Sequence, residues 1–244
     1  MDAVRVVIAL EEALDRLLYS ASYRAAFLEG RLDALDVAPD DRAALAAIDR
    51  DELARAATAV MEGLWYRQQR GCGDLGTQYP KTIEAWRRGH PDDEPLRSLM
   101  CAFLESDAFR EYREIPFAGM GTSLEEAFFL FCEGATLGDA AVREDEFLAA
   151  MMKALAMSPS PAFALPACIR RAPGGYFALG TRGPRPMLYG AVEGRFVKGE
   201  LTRFLAELLT SRPGEEEQVA RRHGVRRDIL LASLKELRKL GLRS

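Results

Sequence analysis

Histidine is almost missing from this 244-residue sequence: His90 and His223 are the only two. A hydrolase of the Ser–His kind needs a base beside its nucleophile, and common zinc and iron sites need a His/carboxylate cluster. Neither pattern occurs, and no G-x-S-x-G motif is present. Cysteine is sparse too. Cys72, Cys101, Cys132 and Cys168 are scattered and form no C-x-x-C pair, so no metal-ligand spacing is present. No apolar run approaches the roughly 18 residues needed to span a bilayer. The opening Met1-Asp-Ala-Val4 lacks the basic region, apolar core and cleavage site of a secretory signal. These absences predict a soluble cytoplasmic protein with reduced thiols and no metal or cofactor of its own. Chemistry that needs only carboxylates stays open. A glycosidase uses two of them, although nothing marks a pair among the 37 Asp and Glu residues.

The residues that are abundant suit a folded chain. It is 48% hydrophobic and 29% charged, which supports one sizeable core or two small ones. Charge is unevenly placed. From Arg195 to Ser244 there are twelve Lys/Arg against seven Asp/Glu, a net +5, which leaves −9 for the rest of a chain whose total is −4. A basic end on an acidic body fits nucleic acid, an acidic peptide or an acidic partner, and equally a set of solvated helix faces.

Along the chain, helical periodicity dominates up to Met157. Residues 3–19 place Val7, Leu10, Leu14, Leu17 and Leu18 on one face. Ser22 caps a short helix to Leu28, Asp40 caps one over Asp41–Ile48, and Asp49 caps the longest, Arg50–Arg70. The loop Arg70–Gly76 is glycine-rich, but it follows a helix and lacks the G-x-G-x-x-G order, so it reads as a connection, not a phosphate cradle. Pro80 opens a helix to Gly89. Two more helices cover Pro95–Glu105 and Asp107–Tyr112, and a Pro/Gly-containing loop covers Ile115–Gly121. Thr122-Ser-Leu-Glu125 reads as a capping box for the next helix, and Ala140–Met157 forms the last one of the body. Glu144, Asp145 and Glu146 are expected on its wet face. Ser158-Pro-Ser-Pro161 marks the boundary. The fold class is therefore mainly α, α+β overall, with a helical body over 1–157 and a smaller unit over 158–244.

That second unit starts with short extended runs, Ala167–Arg171, Tyr176–Thr181 and Met187–Val192. Glu193-Gly194 turns the last of them back into Arg195–Lys198, a hairpin signal. Three amphipathic segments follow. The first carries Leu201, Phe204, Leu205, Leu208 and Leu209, and the second, Glu215–His223, turns Val219 and Ala220 inward. The third, Arg226–Leu240, buries Ile229, Leu230, Ser233, Leu234 and Leu237 and stops at Gly241. A hairpin followed by three such helices is a winged helix-turn-helix pattern. The order hairpin, Leu201-Thr-Arg-Phe-Leu-Ala-Glu-Leu-Leu209, Glu215-Glu-Glu-Gln-Val-Ala-Arg-Arg-His-Gly-Val225, Leu230-Leu-Ala-Ser-Leu-Lys-Glu-Leu-Arg-Lys-Leu-Gly-Leu242 resembles the PqqD-like precursor-recognition domain of ribosomal peptide natural-product pathways. With the helical body in front, and the phrase Leu17-Leu-Tyr-Ser-Ala-Ser-Tyr-Arg-Ala-Ala-Phe-Leu-Glu-Gly30, the chain is similar to partner proteins of multinuclear non-haem iron oxidases of methanobactin-type maturation.

That resemblance implies a non-catalytic subunit. It would bind a precursor leader peptide and present it to the oxidase, which holds the iron, most simply as a heterodimer. It also implies a groove between Arg195–Lys198 and the third helix. Strand alternation sends Arg195 and Val197 to one face and Phe196 and Lys198 to the other. On the helix, Arg227, Leu231, Lys235 and Arg238 form a stripe beside the core stripe. The competing reading is a winged-helix transcriptional regulator with a helical sensor domain. Arg226 and Arg227 suit DNA, but Ile229, Leu230 and Leu231 follow at once, and no Asn or Gln occurs in Arg226–Leu240 to read base edges.

Overall fold

The computed structural model describes residues 7–66, 75–91, 94–114, 121–158, 160–161 and 163–244. The glycine-rich loop and the Pro/Gly loop of the sequence reading lie largely outside these residues, as does one residue of the Ser-Pro boundary. Among these residues the chain is mainly α with one four-stranded antiparallel sheet.

The N-terminal helices are α1 (Leu10–Tyr19), α2 (Ala21–Leu28) and α3 (Pro39–Ala46), leading into α4 (Arg50–Tyr66). Leu17, Phe27, Leu35, Leu45 and Leu53 form their core. The periodic pattern predicts a helix over residues 3–19, of which 3–6 lie outside the described residues. Instead Ile8 makes an isolated parallel bridge to Val37, and α1 starts two residues later. Two caps also differ. Ser20, not Ser22, caps α2, because the helix begins at Ala21 and Ser22 lies inside its first turn; Glu105, from the end of α7, accepts from both hydroxyls and from the Ser22 N–H. Pro39 opens α3 with Ala38 as N-cap, so Asp40 lies inside the helix. Asp49 caps α4 as expected, accepting from the N–H of Asp51 and Glu52 at 2.8 and 2.9 Å.

The second group comprises α5 (Leu75–Gln78), α6 (Pro80–Gly89), α7 (Pro95–Leu104), α8 (Asp107–Glu114), α9 (Leu124–Gly134) and α10 (Ala140–Met157). Tyr79, Phe103, Phe109 and Phe128 interlock edge-to-face between them, centroids 4.9–5.1 Å apart, the favoured geometry for aromatic pairs. The cap of α9 is Ser123, which accepts from Glu126 N–H at 3.0 Å; the cap is thus one residue later than the Thr122–Glu125 pattern predicts, and Glu125 is buried.

After α10 come β1 (Ile169–Ala172), β2 (Gly175–Gly180), β3 (Met187–Val192) and β4 (Arg195–Glu200), a meander in sequence order. Then follow α11 (Arg203–Thr210), α12 (Glu216–Arg222) and α13 (Arg227–Lys239). Both faces of the sheet are covered. Tyr176, Ala178, Tyr189 and Ala191 join the core of the second helical group, while Phe177, Leu188 and Val192 join Phe204, Leu208, Val219, Leu230 and Leu237 of the last three helices. Central strands buried on both faces lose the polar–apolar alternation that marks a half-exposed strand. The hydrophobic core therefore continues from the body into the sheet across residues 158–168.

The end of α13 is pinned to the sheet by two glycines. Gly174 N–H donates to the Gly241 carbonyl at 2.8 Å, and a Cβ on Gly174 would sit 3.1 Å from the Gly241 Cα. Only glycines let the backbones approach so closely.

Candidate functional site

Among the described residues β4 is an edge strand, hydrogen-bonded only to β3. The two-residue turn Glu193-Gly194 has positive φ at both positions, 51° and 73°, as a type I′ hairpin requires. That turn fixes the ladder. Val192 and Arg195 form the hydrogen-bonded pair next to it, so Val197 and Gly199 also point their backbone groups inward at β3. The N–H and C=O of Phe196, Lys198 and Glu200 then point outward, and among the described residues no strand pairs with them. An open edge of this kind is a template for an added extended segment.

The eight residues expected at the site are divided by the sheet. Arg195 is exposed beside the turn, and Val197 is half-buried on the face covered by α11–α13. A Cβ on Gly190, its cross-strand partner, would lie 3.7 Å from Val197 Cβ and 3.9 Å from Leu242, just beyond α13. Phe196 and Lys198 are on the opposite face and engage α10. Lys198 Nζ is 2.6 Å from Asp145 Oδ1, and Lys153 Nζ lies 5.8 Å from the centre of the Phe196 ring. On α13, Arg227, Leu231, Lys235 and Arg238 are all exposed, Leu231 by 57%. Arg227 pairs loosely with Glu217 at 3.8 Å, and Arg238 donates to the Ser244 carbonyl at 3.2 Å. Ile229 was expected in the core but is 46% exposed. It sits about 100° around the helix from Leu230, off the Leu230–Leu234–Leu237 line.

The largest departure from the sequence reading is the acidic triplet of α10. Its three members, about 100° apart on the helix, reach three different elements instead of solvent. Glu144 accepts from the N–H of Thr181 and Arg182 beyond β2, each at 2.9 Å. Asp145 accepts from the Tyr189 hydroxyl and pairs with Lys198. Glu146 is buried and accepts from Lys81 N–H, Thr82 N–H and Thr82 Oγ1 at 2.7, 3.1 and 2.6 Å, which caps α6 from outside. Burial pushes the Asp145 carboxyl up, but the hydrogen bonds from Lys198 and Tyr189 outweigh it and hold it below its usual value. The Tyr189 phenol is pushed up by burial and by that same carboxylate. Glu133 is held low chiefly by the hydrogen bond from Arg182. A sequence signal did exist. Asp145, Ala149 and Lys153 repeat at i, i+4 and i+8, which puts them on one flank of α10.

Among the described residues, no three His, Cys, Asp or Glu side chains gather as a metal-ligand group, and no helix is long and apolar enough to cross a membrane. Comparison with protein-family models, curated proteins and solved structures returns no match.

Proposed function

We propose that this chain is a non-catalytic binding subunit that takes up an extended segment of a ribosomally made precursor peptide on the open edge of β4 and presents it to an iron-dependent modifying oxidase. The observation that carries the reading is the edge itself: six residues of β4, fixed in register by a tight turn, with outward backbone groups unpaired among the described residues. Main-chain hydrogen bonding to an added strand is a general mode of peptide recognition. The order of hairpin and three helices, with its resemblance to precursor-recognition domains, supplies the class of peptide. Iron and redox chemistry belong to the partner in this reading, and the chain's own part is to hold and orient.

DNA regulation is the weaker reading. Arg226 pairs with Asp228 at 2.9 Å and Arg227 lies 3.8 Å from Glu217, so both basic side chains at the start of α13 already have acidic neighbours.

The test is a display selection of random twelve-residue peptides on the full-length chain. Recovered peptides are then measured against Lys198→Pro, which removes one outward N–H without touching the β3 ladder, relative to Lys198→Ala, which loses the same Asp145 ion pair but keeps that N–H. Binding should fall at least about tenfold, as expected when main-chain hydrogen bonds supply the affinity. Undiminished binding to a variant that stays folded by circular dichroism would sink the edge reading. Co-expression with a candidate oxidase should give a stable complex on gel filtration, and two separate peaks would count against the partner.

A further inference from the structure

A cleft of about 570 Å³ opens between the two helical groups of the body. One wall is α1 with α2, whose buried residues belong to the first core. The other is the end of α7 with α8, which belong to the second. Helical period builds both walls. Glu12, Arg16, Tyr19 and Ser20 stand at i, i+4, i+7 and i+8 on one flank of α1, and Arg110 and Arg113 at i and i+3 on α8. Leu35 and Leu104, both buried, give the lining an apolar part. Small-ligand sites are of this size, about 300–1,000 Å³, and form preferentially between packed helices and units.

Four arginines line the cleft, Arg16, Arg31, Arg110 and Arg113, against two acids, Glu12 and Glu105. Each guanidinium already has one carboxylate neighbour. Glu12 takes Nε of Arg16 at 2.8 Å, Asp15 takes one Nη of Arg113 at 2.7 Å, and Asp107 takes one Nη of Arg110. A guanidinium carries five N–H donors, so these contacts fix the three groups and leave donors over. Arg31 is the most fully used, because Glu29 meets it through two nitrogens, at 2.7 and 2.6 Å. Asp15, Asp107 and Glu29 lie outside the lining, and Glu105 is engaged by Ser20 and Ser22, so the lining keeps an excess of cationic donors. Two further polar atoms of lining residues, the Tyr23 hydroxyl and Arg113 Nε, are buried without a hydrogen-bond partner among the described residues. Both can donate, and buried donors call for an acceptor. Burial holds the Tyr23 phenol above its usual pKa, so it keeps its proton.

We infer that this cleft is a site for a small polyanion, a molecule with two or more phosphate or carboxylate groups, gripped by Arg16 from α1 and by Arg110 and Arg113 from α8. The planar guanidinium fork matches either oxyanion through paired hydrogen bonds. The walls come from different helical groups, so the ligand ties the groups together and stabilises the folded chain. The site is separate from the β4 edge and does not depend on it.

Isothermal titration calorimetry on the full-length chain at fixed ionic strength tests this, with pyrophosphate and citrate as the two probes. At least one should bind with a Kd below about 1 mM and raise the unfolding temperature. Pyrophosphate alone identifies phosphate esters as the ligand class, and citrate alone identifies polycarboxylates. The Arg16 and Arg110 side chains are 41% and 53% exposed, so losing them spares the core. Arg16→Gln/Arg110→Gln should keep the parent's circular dichroism and bind the probe at least about tenfold more weakly. Arg110→Gln alone, a milder form, should fall between. Arg185→Gln/Arg226→Gln removes two exposed, paired arginines away from the cleft and should bind as the parent does. The inference is overturned if neither probe binds below about 1 mM, if the cleft variants bind like the parent, or if the distant pair loses as much.

Discussion

Replacing Glu146 should destabilise the chain more than any surface carboxylate. Its side chain comes from the middle of α10, is 6% exposed, and meets the start of α6. Pro80 opens that helix, and the N-cap residue Tyr79 provides no side-chain acceptor. The first free backbone donors of α6, at Lys81 and Thr82, are satisfied instead by a carboxylate 64 and 65 residues away in sequence. Glu146→Ala leaves those two donors and the Thr82 hydroxyl without an acceptor, the Thr82 pair in a buried site. Each buried orphan costs about 1–3 kcal/mol, and a negative charge at a helix N-terminus adds roughly 0.3–1 kcal/mol. The three contacts act as a unit and do not add fully, so the expected loss is about 3–5 kcal/mol. For a chain of this size that lowers Tm by on the order of 10 °C. Glu146→Gln keeps the shape and one acceptor oxygen but turns an amide N–H₂ toward a donor, so about 1–2 kcal/mol is expected. Thr82→Val, which removes only the hydroxyl donor, should cost about 1 kcal/mol. Urea unfolding followed by far-UV circular dichroism gives all three values. An alanine variant within about 0.5 kcal/mol of the parent, or equal losses for alanine and glutamine, would refute the capping argument.

Gly175→Ala should prevent the sheet from forming, because φ is +151° there and the new Cβ would sit 2.0 Å from the Ala191 carbonyl oxygen; a cooperative transition near the parent's Tm would contradict this. Acid should unfold the chain through its paired carboxylates. Asp145 and Glu133 titrate below their usual values when folded, so their stabilisation is complete above the unfolded pKa of about 4 and is lost as pH falls through the lower folded values. The urea midpoint should be level above about pH 5 and drop below about pH 4, and a midpoint that rises as acid is added would reverse the sign of the argument. Leu231→Glu should leave the urea midpoint within about 0.5 kcal/mol of the parent, since Leu231 is 57% exposed and off the core line; a larger loss would mean the α13 stripe is misplaced.

Local chemistry in the sequence was enough for much of the fold. Glu193-Gly194 between two β-rich runs dictates the hairpin, and Leu230, Leu234 and Leu237 draw the buried line of α13 without help from any other element. Pro80 and Asp49 mark the starts of α6 and α4 in the same way. The exposed flank Arg227–Leu231–Lys235–Arg238 follows from helical period alone. Tertiary structure decided what a local period does not contain. The start of α2 was drawn back to Ser20, where the Glu105 carboxylate accepts from Ser20 and Ser22 alike, and Ile229 stayed at the surface although its type suits a core. Three adjacent acids on α10 looked like a solvated face because nothing nearby in sequence could partner them. Their partners are 37 to 65 residues away, on strands and a helix that only folding brings alongside. The surroundings of β4 depend on the same event. Lys153, Gln78 and Phe196 come from three separate stretches, and a charge acquires a direction only when the chain folds back to give it neighbours.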